Sequence, residues 1–356
     1  MRVPRAPGDA GIENGGSADA TSARCFASSG PMGMTILKAR CARYHLPAFP
    51  LRMTPEEKGT ILAEALPYLR AFHGKTIVVR FGGQAMADRA LRAGFARDVA
   101  LLRLVGMKVV VVHGGGWGID ELMRKMGLEI RRHHGRRITD ERTLTLIEMA
   151  LSELNQELTS LINREGGRAV GLDGQDGRFI RARPLGKPAE DPDAPDLGFV
   201  GDVESIDTGL IELLLSREFV PVVMPIGVTA ENTAYHINSD RLAGRLARAL
   251  EAEKLVLMTN VPGVMGRDGK VAPILTASQA NELLRDGVVH GGMEPRVTAA
   301  VRAVLEGVRS VHIVDGSVPN ALLLEVLTPE GVGTALRTDA EPDFFAHSKA
   351  FLLGPA

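Results

Sequence analysis

The stretch KVVVVHGGGWGIDE, residues 108–121, constrains this chain most. Four consecutive valines leave no polar face. A short β-branched run of that kind reads as a strand buried on both sides, and such a strand needs helices above and below it. The run ends in His113 and three glycines, and a helical pattern starts at Ile119. Glycines at a strand's carboxyl end let a ligand approach the backbone with no Cβ in the way. Their N–H groups and the following helix N-terminus form an anion site, at the edge where open α/β sheets bind ligands. One expectation is therefore a small anionic substrate held by Gly115 and Gly116. The other is a tight strand–helix turn that binds nothing.

The same rhythm recurs. Thr76–Phe81 runs into Gly82-Gly83 and a helix over 87–104. Val220–Met224 ends in Pro225-Ile226-Gly227, Lys254–Thr259 leads to Asn260 and Gly263, and Val311–Val314 is a last clear strand. Gly291-Gly292-Met293 opens a helix over 295–307. Strand pieces are also expected at 169–172, 179–183 and 199–204. A long helix from Asp140 to Arg164 is expected with Thr139 as its cap, and the stretch from His236 reads as a loop feeding a helix. Alternating strands and helices predict an α/β fold on a mainly parallel sheet. The glycine turns at 82–83, 114–116, 227 and 263 are expected to line one long cleft. Neither a Walker A motif nor a dinucleotide G-x-G-x-x-G is present.

Composition bounds the partners. A chain of 356 residues, 45% hydrophobic, can fill one large or two smaller lobes. A net charge of −1 gives no case for nucleic acid or an anionic membrane. No apolar run approaches the roughly 20 residues of a membrane span. The two cysteines, Cys25 and Cys41, lie in the first fifty residues, which fits a reducing cytoplasm. No cluster of acidic or histidine side chains has metal-ligand spacing, so no protein-held metal is expected. Residues 1–52 lack periodicity and are expected to be a disordered extension or an over-long start, with Met53 the true beginning. Thr54 and Glu57 have capping-box spacing, and Ile61, Leu62, Leu66, Leu69 and Phe72 form a stripe on the helix that follows. A partner surface over residues 53–75 is one reading of that stripe, and packing on its own domain is the other. Residues 341–356 are expected to be a loose tail.

Together the motifs resemble the amino-acid kinase family, and within it the acetylglutamate kinases. VVRFGGQAM (78–86), VVHGGGWGIDELM (111–123), GRRITD (135–140), HINSDRLAG (236–244), MTNVPGV (258–264), GGMEPRV (291–297) and EVLTPEGVGT (325–334) carry the likeness, in one order over about residues 54–338. The resemblance implies an open αβα sandwich of two lobes. Residues 76–225 would bind the acyl amino acid, and 226–340 would bind MgATP and an arginine effector. It implies in-line transfer from ATP to the γ-carboxylate of N-acetyl-L-glutamate, the second step of arginine biosynthesis (EC 2.7.2.8), with magnesium held mainly by the ATP phosphates. By position, Gly115, Gly116, Arg137, His236 and Asn238 would hold substrate. Gly82, Gly83, Thr259, Asn260, Gly263 and Met293 would meet the nucleotide. Glu325, Gly331 and Gly333 would form the arginine site of a feedback-inhibited hexamer, a trimer of dimers built through the 53–75 helix.

Five positions depart from the family pattern. Its two phosphate-flanking lysines are Arg80 and Arg296 here, beside an unchanged Asp240. His236 stands for an Asn, Asn260 for an Asp, and Trp117 for a smaller residue. Arginine keeps the charge but is planar and larger than an ammonium, and a chain with 33 Arg and 9 Lys is biased towards it throughout. Two alternatives stay open: a weakened or inactive relative that responds to arginine as a binding protein, and a kinase for a different acylated amino acid.

Overall fold

The computed structural model describes residues 54–133, 135–187, 194–328 and 331–340. The expectations for residues 1–52 and 341–356, including Cys25 and Cys41, lie outside the described residues. In chain order the strands are β1 (Thr76–Phe81), β2 (Lys108–His113), β3 (Arg132–His133), β4 (Arg136–Arg137), β5 (Ala169–Leu172), β6 (Ile180–Pro184), β7 (Val200–Ile206), β8 (Val220–Val223), β9 (Ile226–Val228), β10 (Ala234–Ile237), β11 (Lys254–Thr259), β12 (Ile274–Thr276), β13 (Val311–Asp315) and β14 (Gly333–Arg337). The helices are α1 (Pro55–Phe72), α2 (Arg89–Leu104), α3 (Gly116–Lys125), α4 (Glu141–Arg164), α5 (Gly209–Ser216), α6 (Ser239–Ala249), α7 (Ala277–Arg285), α8 (Glu294–Leu305) and α9 (Ala321–Leu327).

Eight strands form the main sheet in the order β12-β14-β13-β11-β1-β2-β8-β5. From β13 to β5 every pairing is parallel; β14 turns antiparallel to β13 and carries β12 with it. The valine run explains the layering. Val109 and Val111 of β2, with Ile77 and Val79 of β1, enter a core with α2, α4 and α9. Val110 and Val112, with Val78, enter the opposite core with α6, α7 and α8. Successive strand residues point to opposite faces, so a run apolar at every position is buried twice. This is the mainly parallel αβα sandwich expected above. The chain moves outward from β1 to β2, then returns to the other side of β1 as β11. That reversal is the switch point at which such sheets bind ligands.

Several local expectations need correction. Asp140, not Thr139, caps α4: its side chain accepts from the Thr143 N–H at 2.8 Å. Helix α3 begins at Gly116, three residues before the apolar pattern starts, so the glycines form its first turn. His236 lies in a strand, β10, which closes a small four-stranded sheet with β7, β6 and β9. Gly227 belongs to that sheet and leaves no room for a Cβ, which would sit 2.8 Å from Ile237. Its glycine thus serves packing, and Gly227 does not line the cleft.

Helix α1 buries only its last turns, at Tyr68 and Phe72. Ile61, Leu62 and Leu66 are 51%, 74% and 46% exposed, so most of the expected stripe faces outward. No helix among the described residues is long and apolar enough to cross a membrane.

One buried acid ties the helix layer together. Asp98 of α2 receives the N–H groups of Leu322 and Leu323 at the start of α9, and burial pushes its carboxyl up to about 7. A carboxyl raised in the folded state keeps its proton where the unfolded chain has released it, so its contribution to stability falls as pH rises from about 4 to 7. Asp98→Asn is therefore expected to melt later than wild type at pH 8, by up to a few kcal/mol, and to lose that advantage at pH 5. Thermal melts at the two pH values check this.

Candidate active site

A cavity of about 440 Å³ opens at the carboxyl edge of β1, β2 and β11. Gly114, Gly115 and Gly116 line one side. A Cβ on Gly115 would lie 2.4 Å from Leu151 Cδ2, and Leu151 is fully buried, so any larger residue there would have to displace that side chain. Trp117 stands at the rim, 45% exposed.

Arg80, Asn260 and Arg296 line the nucleotide-facing side expected above. Arg80 leaves the buried end of β1 and is only 8% exposed. Its Nε and Nη2 donate to Ser239 Oγ at 3.2 and 3.1 Å, and its Nη1 donates to the Met258 carbonyl at 3.2 Å. Its Nε also lies 2.7 Å from Asp240 Oδ1, an ion contact that is close but not aligned as a hydrogen bond. Gly82 makes room for this larger cation: a Cβ there would fall 2.1 Å from Arg80 Nη1. Arg296 enters from α8. Burial lowers its pKa, with Asp240 opposing and Arg80 adding to that shift, so the three charges form one group. Its Nη1 donates to the Gly292 carbonyl at 2.8 Å, while its buried Nε has no hydrogen-bond partner among the described residues.

Arg132, Arg136 and Arg137 of the β3–β4 hairpin line the third side. Arg137 is buried, and burial lowers its pKa, with Asp120 of α3 opposing that shift in part. Asp120 accepts from Arg137 Nη2 at 2.6 Å and from Arg132 Nη2 at 2.8 Å. One carboxylate therefore ties the arginine hairpin to the glycine-led helix. Sequence reasoning missed Asp120, although its position in IDELM on the cavity-side helix marks it as a candidate. His236 retains some exposure at the cavity wall, yet burial, with Arg137 adding to it, holds its imidazole down at about 4; it is neutral near pH 7. Asn238 lines the cavity and caps α6, accepting from the Arg241 N–H at 3.0 Å, which leaves its NH2 to offer a ligand.

Of the residues expected to meet the nucleotide, Gly83 and Asn260 line this cavity. Gly82 lies behind Arg80. Thr259 is fully buried, and its hydroxyl bonds both the N–H and the carbonyl of Val261, shaping the turn after β11. Gly263 packs where a Cβ would meet Val271 and Thr334 at 2.6 and 2.7 Å. Met293 rests against the core with α8. Among the described residues no group of three His, Cys, Asp or Glu side chains could hold a metal ion.

The expected effector residues sit elsewhere: Glu325 meets His312 near the start of β13, Gly331 packs on Glu325, and Gly333 pairs with Val314 near the end of β13. Glu325 of α9 makes a short hydrogen bond to His312 Nδ1 and accepts from the Val332 N–H at 2.8 Å. Burial pushes the Glu325 pKa up, but His312, Val332 and Lys254 outweigh it and hold the carboxyl low. Burial also brings Lys254 down to about 8, with its ammonium 4.7 Å from the Phe72 ring centre. Gly331 presses on Glu325, where a Cβ would be 2.9 Å from Oε2, and Gly333 opens β14 against the Ile313 carbonyl. Lys254 and His312 were not singled out from the sequence, since both sit inside apolar strands.

The amino acid kinase family model matches residues 75–315. Acetylglutamate kinase of Chromobacterium violaceum is 53% identical over 282 residues, 79% of this chain and 98% of that protein. Acetylglutamate kinase of Nitrosomonas eutropha is 53% identical over 286 residues, 80% of this chain and 97% of that protein. Among solved structures, N-acetylglutamate synthase from Neisseria gonorrhoeae, complexed with coenzyme A and N-acetyl-glutamate, superposes with a TM-score of 0.72 at 26% identity over 79% of this chain. The chain spans 63% of that synthase. Carbamate kinase from Giardia lamblia, at a TM-score of 0.56 and 17% identity over 75% of this chain and 99% of that one, shares the fold. With its sheet order, its cavity at the switch point and relatives of this identity over most of its length, the chain belongs to the amino acid kinase family, on the acetylglutamate kinase branch.

Proposed function

We propose that this protein transfers the γ-phosphoryl group of ATP to the γ-carboxylate of N-acetyl-L-glutamate, giving N-acetyl-L-glutamyl 5-phosphate on the route to L-arginine. The carrying observation is that Arg80 and Arg296 share Asp240 beside the Gly114–Gly116 turn. Phosphoryl transfer requires in-line positioning and fixed positive charge more than covalent help from the protein. In this reading the N–H groups of Gly115 and Gly116 hold the acceptor carboxylate. Arg137, already oriented by Asp120, grips the α-carboxylate with a planar fork. His236 and the NH2 of Asn238 complete the acyl side. Arg80 and Arg296 stabilise the charge that develops on the moving phosphoryl, and Asp240 keeps the two like charges together. Magnesium arrives with ATP and supplies further charge neutralisation at the phosphates. The relatives' shared name, at about half identity, argues against the non-catalytic and different-substrate alternatives.

Arginine inhibition and a hexameric assembly belong to the same reading. The exposed stripe of Ile61, Leu62 and Leu66 on α1 supports a partner surface, and the Glu325 cluster supplies a carboxylate for a guanidinium. A related N-acetylglutamate synthase has been crystallised with L-arginine. A cytoplasmic location fits a biosynthetic enzyme. The test is ATP-dependent acyl phosphate formation, trapped as the hydroxamate, from N-acetyl-L-glutamate beside L-glutamate and N-acetyl-L-aspartate. Turnover with the first acid alone is expected. Sedimentation with and without L-arginine reads the assembly, and dimers indifferent to arginine would refute that part.

A further inference from the structure

His113 does not line the cavity, yet it sits directly under it and is fully buried. Its Nδ1 is 2.8 Å from the Gly114 carbonyl, and its Nε2 is 3.1 Å from Asn155 Nδ2. The same Asn155 nitrogen lies 2.8 Å from the Val222 carbonyl on β8. A carbonyl accepts, so Val222 fixes which end of the Asn155 amide is NH2. That NH2 donates to His113 Nε2, which must then carry no proton. The proton therefore resides on Nδ1 and is donated to the Gly114 oxygen. Burial supports the neutral ring, holding its pKa down at about 4.

The peptide between Gly114 and Gly115 is planar and trans, so its C=O and N–H point in opposite directions. A Gly114 carbonyl pulled towards the buried imidazole turns the Gly115 N–H the other way, to the cavity that Gly114 and Gly115 line. From this geometry we infer that His113, in its Nδ1–H form set by Asn155, is a positioning residue that holds the Gly115 N–H on the reacting carboxylate. This rests on the kinase reading above. The chain from β8 through α4 to the glycine turn makes the donor rigid before substrate arrives. A donor fixed in advance loses nothing to reorientation as charge develops.

Two substitutions separate the bond that matters from packing. His113→Asn sets an NH2 near the Nδ1 position and keeps the bond to Gly114. His113→Gln sets its amide near Nε2, keeping the Asn155 bond and losing the other. The expected result is a kcat within about threefold of wild type for Asn and a loss of roughly 10- to 100-fold for Gln, less than the roughly 10² to 10³ lost when such a donor is removed outright, because the Gly115 N–H is loosened but still present. The KM for ATP should stay unchanged in both. Equal kcat for the two variants, or a loss that follows their melting temperatures, would overturn the inference. If neither variant folds, ¹⁵N-histidine labelling of the wild type decides. An Nδ1–H tautomer at His113 supports the inference, and an Nε2–H tautomer overturns it. A wild type without kinase activity would sink the underlying reading instead, whatever the tautomer.

Discussion

Asp240→Ala is expected to lower kcat for acyl phosphate formation by about a thousandfold. Arg80 and Arg296 are both cations, and Asp240 is the carboxylate that Arg80 Nε approaches at 2.7 Å and that opposes the Arg296 pKa shift. Without it the two guanidiniums repel and part, and the charge aimed at the phosphoryl is lost. Losing one fixed donor to a transition-state anion typically lowers the rate by about 10² to 10³, and here two are disturbed together. Removing one partner of a buried ion pair also destabilises by about 3–5 kcal/mol. Melting temperatures must therefore be read beside the rates, and Asp240→Asn, which keeps the shape and removes the charge, separates the two effects. A folded Asp240→Ala enzyme with more than a tenth of wild-type turnover would contradict this role.

Arg137→Ala is expected to raise the KM for N-acetyl-L-glutamate by about a hundredfold while leaving the KM for ATP within a factor of about two. Hydrogen bonds to charged groups contribute about 1.5–3 kcal/mol, and a bidentate grip lies at the upper end. Arg137→Lys should recover little, because an ammonium cannot reproduce the fork. Asp120 would keep its contact with Arg132 in either variant, so the hairpin stays attached to α3. Initial rates with each substrate varied in turn check the split. A fall in kcat with unchanged KM would move Arg137 from substrate binding to chemistry.

The central sheet was legible because its strands carry the clearest local signal. Val109–Val112 and Leu255–Met258 are apolar at every position, and burial on both faces leaves them no alternative. The short strands β9, β10, β12 and β14 were not, because three to five residues of mixed polarity cannot establish a period of two. His236 was read as a loop residue for that reason. The candidate site was legible in Gly83 and Gly114–Gly116 and in Arg80, Arg137, Asp240 and Arg296, which stand in local motifs. Its partners were not: Ser239 reaches Arg80 across 159 positions, and Asn155 reaches His113 across 42. Such contacts are created by the order in which strands are laid down, and no local pattern carries them. At Thr259 and Gly263 the contacts on view are those that shape the turn after β11, which a short motif does not distinguish from contacts to a ligand.

The most direct test of the account compares initial rates of hydroxamate formation for wild type, Arg80→Ala and the double variant Arg80→Lys/Arg296→Lys, at saturating MgATP and N-acetyl-L-glutamate. If the two arginines are working phosphoryl cations, wild type turns over, the double lysine variant stays within about tenfold of it, and Arg80→Ala loses about 10² or more. A silent wild type beside an active double lysine variant would mean that the arginines disable an otherwise intact site, and would contradict the account.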